Sequence, residues 1–189
     1  MEENKTLFDI VQTTLDLTLQ SKGSLYVLYD QFGAINLTNI KNMRLDGLIR
    51  DDTAEDYDYT SSIDGDTYNK VKLTYDNKTT GARDIYIVKD GANINKWGVL
   101  QYFDKLQDNE NGKAKADALL KLYNKKTRNL TVSNAIGDVR VRAGSLVPVA
   151  LSLGDVTVNN YMLVEKVKHT FNENQHTMDL TLLGGDFVA

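Results

Sequence analysis

Cysteine is absent from this 189-residue chain, which excludes disulfides and thiolate metal sites and removes any sign of redox compartment. Proline occurs once, at Pro148, and tryptophan once, at Trp97. There are two histidines, His169 and His176, so any chemistry built on imidazole has only these to use. No apolar run approaches the ~18 residues that a membrane span requires. The opening MEENKTLFDI lacks the basic-then-apolar order of a signal peptide, which fits synthesis in the cytoplasm. Asn36, Asn77 and Asn129 begin glycosylation-type triplets; without a secretory signal they are accidents of composition. A formal net charge of -4 argues against a surface made mainly for nucleic acid or anionic lipid.

What is present is an ordinary globular composition, 41% hydrophobic and 25% charged, enough to bury a core in one or two domains. The clearest signal lies in Tyr161–Leu182. Leu163, Val167 and Phe171 alternate with Lys166, Lys168 and Thr170, then Met178, Leu180 and Leu182 alternate with Thr177, Asp179 and Thr181. Period two of this kind marks strands with one buried face. The polar loop Asn172–Gln175 makes the pair a hairpin. Flanking it with Phe171 and His176 sets Val167 opposite Leu180, His169 opposite Met178 and Lys168 opposite Asp179, so both faces agree on one register.

Elsewhere Thr6 and Asp9 form a capping box ahead of an apolar stripe through Leu7, Ile10, Val11, Leu15 and Leu19, with Gly23 as the stop. This predicts a helix over Leu7–Ser21 lying on a sheet. So abrupt a start suggests a chain that begins inside a longer protein. SLYVLY at Ser24–Tyr29 and Ala34–Leu37 form a second hairpin around Asp30–Gly33. Tyr68–Tyr75 and Asp84–Val88 form a third. Trp97 to Leu106 is an aromatic packing segment. Lys113–Asn124 is the strongest helix, ending in the basic run Lys121, Lys125, Lys126 and Arg128. Val139–Arg142 and Leu146–Leu151 are strand candidates, with Pro148 arguing for an edge, and Gly154-Asp155 is a turn.

These elements give an α+β chain, predominantly antiparallel β in small barrel or sandwich modules with hairpins, plus two amphipathic helices. Three segments are expected: a helix and hairpin over 1–62, a hairpin, aromatic stretch and helix over 63–126, and a closing antiparallel module over 127–189.

Chemistry is harder to find. Asp51, Asp52, Glu55, Asp56, Asp58, Asp64 and Asp66 invite a calcium or carboxylate site, but the spacing of a calcium loop is missing. The stretch reads as a solvated or subunit-contacting loop. His169 and His176 share a hairpin face as diagonal neighbours, with Glu165 on that face, and a metal would need all three. Structural histidines are the better reading, since no nucleophile motif accompanies them. Gly184-Gly185 has no following helix to complete a phosphate cradle. No catalytic, cofactor or metal residue is therefore assigned.

Longer segments carry a resemblance. DTAEDYDY at Asp52–Tyr59, IDGDTYNKVKL at Ile63–Leu73, NINKWGVLQYFDKL at Asn93–Leu106 and NGKAKADALLKLYNKKTRNL at Asn111–Leu130 resemble the C-terminal part of the XkdQ-type proteins of PBSX-like phage elements. GDVRVRAGS at Gly137–Ser145 and the closing hairpin extend the likeness over nearly the whole chain. The resemblance implies a non-enzymatic, trimer-forming baseplate hub component of a contractile phage tail or tail-like particle, joining tail tube to central spike. Its implied partners are its own copies, the tube, the spike and other baseplate proteins, with no nucleic acid, membrane or cofactor. The family's usual N-terminal portion is not in this sequence. Two other classes stay open: a carbohydrate- or protein-binding module of the tail, and a cell-wall hydrolase, which would need two carboxylates at catalytic separation.

Overall fold

In the computed structural model, which describes residues 4–78, 81–108, 110–153 and 156–184, the closing hairpin forms in the register its alternation predicts. Strands β10 (Val156–Asn172) and β11 (Gln175–Gly184) run antiparallel, with Val167 opposite Leu180, His169 opposite Met178, Phe171 opposite His176 and Lys168 opposite Asp179. The turn is tighter than four polar residues, because Asn172 and Gln175 pair with each other and leave Glu173-Asn174 at the tip. A bulge at Glu165 separates Val164 from Lys166. It explains how Val164 and Val167, three residues apart, reach the same core, since an extra residue resets the two-residue alternation.

Around this hairpin six strands form one mixed sheet in the order β3-β9-β10-β11-β8-β4, with β3 at Ile49–Arg50, β4 at Asp56–Ser62, β8 at Thr127–Ile136 and β9 at Leu146–Leu153. Leu130, Val132, Val147, Val149, Leu151, Met162, Leu180 and Leu182 are buried together on one face. Ile49 from one edge strand and Tyr57 and Tyr59 from the other pack on the same cluster, so the sheet rolls into a half-barrel. The Tyr57 hydroxyl donates to the Arg50 carbonyl, tying one edge strand to the other.

Three expectations are corrected here. The acidic stretch is not a loop throughout: a turn at Asp51–Thr53 leads into strand β4, where Tyr57 and Tyr59 turn inward between outward Asp56 and Asp58. The acids had masked a period-two pattern. Val139–Arg142 is not a strand, because local bonds win there: Asp138 Oδ1 accepts from the Arg140 N–H, Ser145 Oγ from the Arg142 N–H, and the Asp138 carbonyl from the Val141 N–H. Pro148 lies inside the strand order rather than at an edge. It is tolerated because the Leu146 N–H and carbonyl bond toward the β3 side, so alternation turns the Pro148 nitrogen to that same side, where β3 is only two residues long. The expected turn at Gly154-Asp155 lies outside the described residues.

The second hairpin, β1 (Tyr26–Gln31) with β2 (Ala34–Asn39), turns through Phe32 at φ 53° and Gly33 at φ 86°. Positive φ at both positions is the two-residue turn whose twist suits a hairpin.

A separate three-stranded sheet has the order β6-β5-β7. Strands β5 (Lys70–Asp76) and β6 (Arg83–Lys89) are the expected antiparallel hairpin. The aromatic segment resolves into helix α2 (Gly91–Trp97), capped by the Asp90 carboxylate, and strand β7 (Gln101–Lys105), parallel to β5. Trp97, read as packing, is half-buried. Helix α3 (Gly112–Tyr123) buries Ala116 and Leu119 against Val71, Leu73, Tyr86 and Leu106. Helix α1 (Leu7–Lys22) has the predicted capping box and ends at Gly23. Its neighbour is α3 rather than the face of a sheet, and none of its residues is fully buried.

Two compact units result: Met1–Leu25 with Ile63–Lys126, and Tyr26–Ser62 with Thr127–Ala189. The chain crosses between them at 25/26, 62/63 and 126/127. No helix among the described residues is long and apolar enough to cross a membrane.

Candidate interaction surfaces

The half-barrel unit carries a cleft of about 530 Å³ lined by Leu48, Ile49, Ile136, Val139, His176 and Met178. Its apolar rim is well exposed, with Ile136 at 68% and Val139 at 73%. The two histidines meet beside it, as their shared hairpin face predicts. His169 Nε2 lies 2.9 Å from the Val141 carbonyl and Nδ1 lies 2.9 Å from His176 Nε2. A carbonyl only accepts, so His169 donates from Nε2 and its Nδ1 accepts from the His176 Nε2–H. Phe171 stacks on His176 with ring centroids 4.1 Å apart. Gly137 is required where it stands, since a Cβ there would fall 2.2 Å from the His176 ring. Three of the four ring nitrogens' hydrogen-bonding directions are thus directed at each other or at backbone. Glu165 is exposed at the bulge and does not join them. Among the described residues no three His, Asp or Glu side chains converge as a metal set would.

On the cleft wall Arg140 bridges Asp138 and Asp46, with Nη2–oxygen distances of 2.8 Å to each. The Arg140 hydrogen bonds hold the Asp138 carboxyl below its ordinary value of 3.8, with a smaller contribution from His176. A depressed carboxylate stabilises the fold above its unfolded value, and that contribution disappears as pH falls through the lower folded value. Asp138→Asn should therefore lower stability at neutral pH, by under about 1 kcal/mol for so solvated a pair, and the difference from wild type should shrink as pH falls below the ordinary carboxylate value and through the lower folded one. Urea midpoints across pH 2–7 read this. A gap that persists undiminished at the acid end would mean that packing, not charge, holds Asp138.

Asp64 and Asp66 flank Gly65 in an exposed turn of the other unit. The basic run is divided between two elements and two units. Lys121, Lys125 and Lys126 belong to the unit of α3, whereas Arg128 lies on β8 in the other. Gly185 lies outside the described residues.

A surface that composition hid is the outer face of the three-stranded sheet. Ile85, Ile87 and Phe103 stand there at 53–54% exposure. Lys72 is paired with Ile87 on one side and Phe103 on the other, Lys70 with Lys89 and Gln101, and Thr74 with Ile85 and Lys105. Arg83 is bonded to Asp76 at 2.6 Å. Lys70, Lys72, Lys89 and Lys105 have no ion pair among the described residues, so four lysines surround three apolar side chains in a chain whose net charge is -4. The signal was the alternation itself: in KVKL and DIYIVK the face opposite Val71, Leu73, Tyr86 and Val88 is lysine and isoleucine.

Comparison with known proteins gives three findings. A family model described as YqbQ-like matches residues 1–183. Two Bacillus subtilis (strain 168) proteins, YqbQ and the phage-like element PBSX protein XkdQ, are each 29% identical over 96% and 97% of this chain. The chain spans 56% of the length of each. The 43 kDa tail protein of prophage MuSo2 from Shewanella oneidensis has the same fold over 100% of this chain and 58% of its own, with a TM-score of 0.66 at 13% identity.

Proposed function

Because the chain belongs to the YqbQ-like family, we propose that it is a structural, non-enzymatic component of a phage tail or tail-like particle, acting in the baseplate hub between tail tube and central spike. The observation that carries this reading is the agreement of two independent likenesses over almost the whole chain. One is sequence similarity to the PBSX protein XkdQ, the other the fold shared with the MuSo2 tail protein. The half-barrel supports it too. Its edge strands β3 and β4 are joined by a tyrosine hydroxyl rather than by a ladder, leaving strand edges of the kind that assembling proteins pair or cover.

In this role the polypeptide works by position. Copies arranged head to tail about an axis form a closed ring, a trimer in the hub reading, with complementary charges fixing which surfaces meet. The test is electron microscopy of the intact particle carrying the full-length protein, with a tag locating this sequence. Density as a three-subunit ring on the axis beneath the tube is the expected result. Density on the sheath or fibres, away from the axis, would reject the hub.

A further inference from the structure

We infer that the outer face of the β6-β5-β7 sheet is a docking surface for a second copy of this chain, and that the occupant is the acidic edge strand β4. The inference deepens the head-to-tail reading proposed above and rests on it. A sheet exposing one face to water normally makes that face polar. Here one face is covered by α3 and the other presents Ile85, Ile87 and Phe103, each more than half exposed, among four unpaired lysines. Apolar side chains ringed by one sign of charge fit a partner that brings the opposite sign and excludes water from the centre.

The chain supplies that partner. Strand β4 ends the six-stranded sheet, so one side of its backbone has no ladder. Tyr57 and Tyr59 hold it on its own core while Asp56 and Asp58 are exposed on the outward face. Neither aspartate is in a salt bridge among the described residues; Asp56 bonds only its neighbour's N–H, from Tyr57. Alternate residues on a strand repeat every ~7 Å, so Asp56 and Asp58 have the spacing of Lys70 and Lys72 on the central strand. Two acids can thus lie over two lysines along parallel axes. The contact is small: three strands about 4.8 Å apart and five to seven residues long offer only roughly 250–350 Å², well below the ~800 Å² per partner of a stable complex. Association through it alone is therefore weak and sensitive to salt, and gains strength in a closed ring.

Sedimentation of the full chain at low and at physiological ionic strength tests this, using charge exchange. The wild type should associate at low salt and dissociate as salt rises. Lys70→Glu with Lys72→Glu should weaken association by about tenfold or more, as should Asp56→Lys with Asp58→Lys. All four changes in one chain should restore it, because the charges are merely exchanged; recovery also shows that the variants fold. A wild type that stays monomeric at low salt and high concentration overturns the inference, and so does association untouched by either pair. Restored thermal stability in a chain that remains monomeric would mean that the two elements meet within one molecule, which also overturns it. Failure here leaves the position in the particle to the imaging experiment, which can fail while this contact stands.

Discussion

Leu180→Ala will destabilise the half-barrel by ~2–5 kcal/mol, the cost of removing buried methyl groups from a core that relaxes only in part. Leu180 is 2% exposed, sits opposite Val167 on β10 and Val132 on β8, and belongs to the cluster that both edge strands share. At the neighbouring cross-strand pair, on the opposite face of the hairpin, the effect should be small. Lys168 Nζ lies 3.7 Å from Asp179 Oδ2 with the two side chains 75% and 44% exposed, and Lys168→Ala should cost under about 1 kcal/mol. Urea denaturation of both variants, with midpoints compared at equal m-values, measures the contrast. Equal costs would contradict the burial on which the whole sheet's register rests.

That register was readable because two faces constrained it at once. Apolar residues had to meet on one side while Lys168 met Asp179 on the other, and a slip of one residue would have reversed both. The histidine contact followed from the same alternation. What alternation cannot give is pairing between segments distant in sequence. Strand β7 is five residues long and parallel to β5, and nothing in QYFDK names its neighbour. Likewise α1 has a legible cap and stripe, yet its packing against α3 depends on a fold that brings residues 1–25 beside 63–126. Strand β4 was hidden for another reason: aspartates at alternate positions looked like a solvated run until Tyr57 and Tyr59 were seen to face the core. The lysine face was missed because its members lie on three strands and the total charge is negative. A local sequence window sees Lys70 and Lys72 but not Lys105.

The turn at 143–145, between the two segments expected as strands, gives the other large effect. Gly144→Ala should cost roughly 2–6 kcal/mol, from two separate causes. Its φ of 89° is a conformation that a residue with a Cβ adopts only with strain of about 1–3 kcal/mol. The new methyl would also fall 2.6 Å and 2.8 Å from the two Val27 methyls and 3.1 Å from the Val27 Cβ. A β-branched side chain so placed cannot swing clear, and overpacking of this kind costs about another 1–3 kcal/mol. The segment cannot retreat easily either. The Gly144 N–H donates to the Val164 carbonyl and the Val164 N–H to the Ser145 carbonyl, each at 2.8 Å, fixing it to β10. A double-mutant cycle separates the causes. In a Val27→Ala background the overlap is relieved while the backbone strain remains, so the cost of Gly144→Ala should fall by about 1–3 kcal/mol and stay above zero. Additive costs would mean that the β1–β2 hairpin does not press on this turn, and the packing that anchors the hairpin to the half-barrel would have to be sought elsewhere, in the stacking of Arg142 on Tyr29 at 4.9 Å.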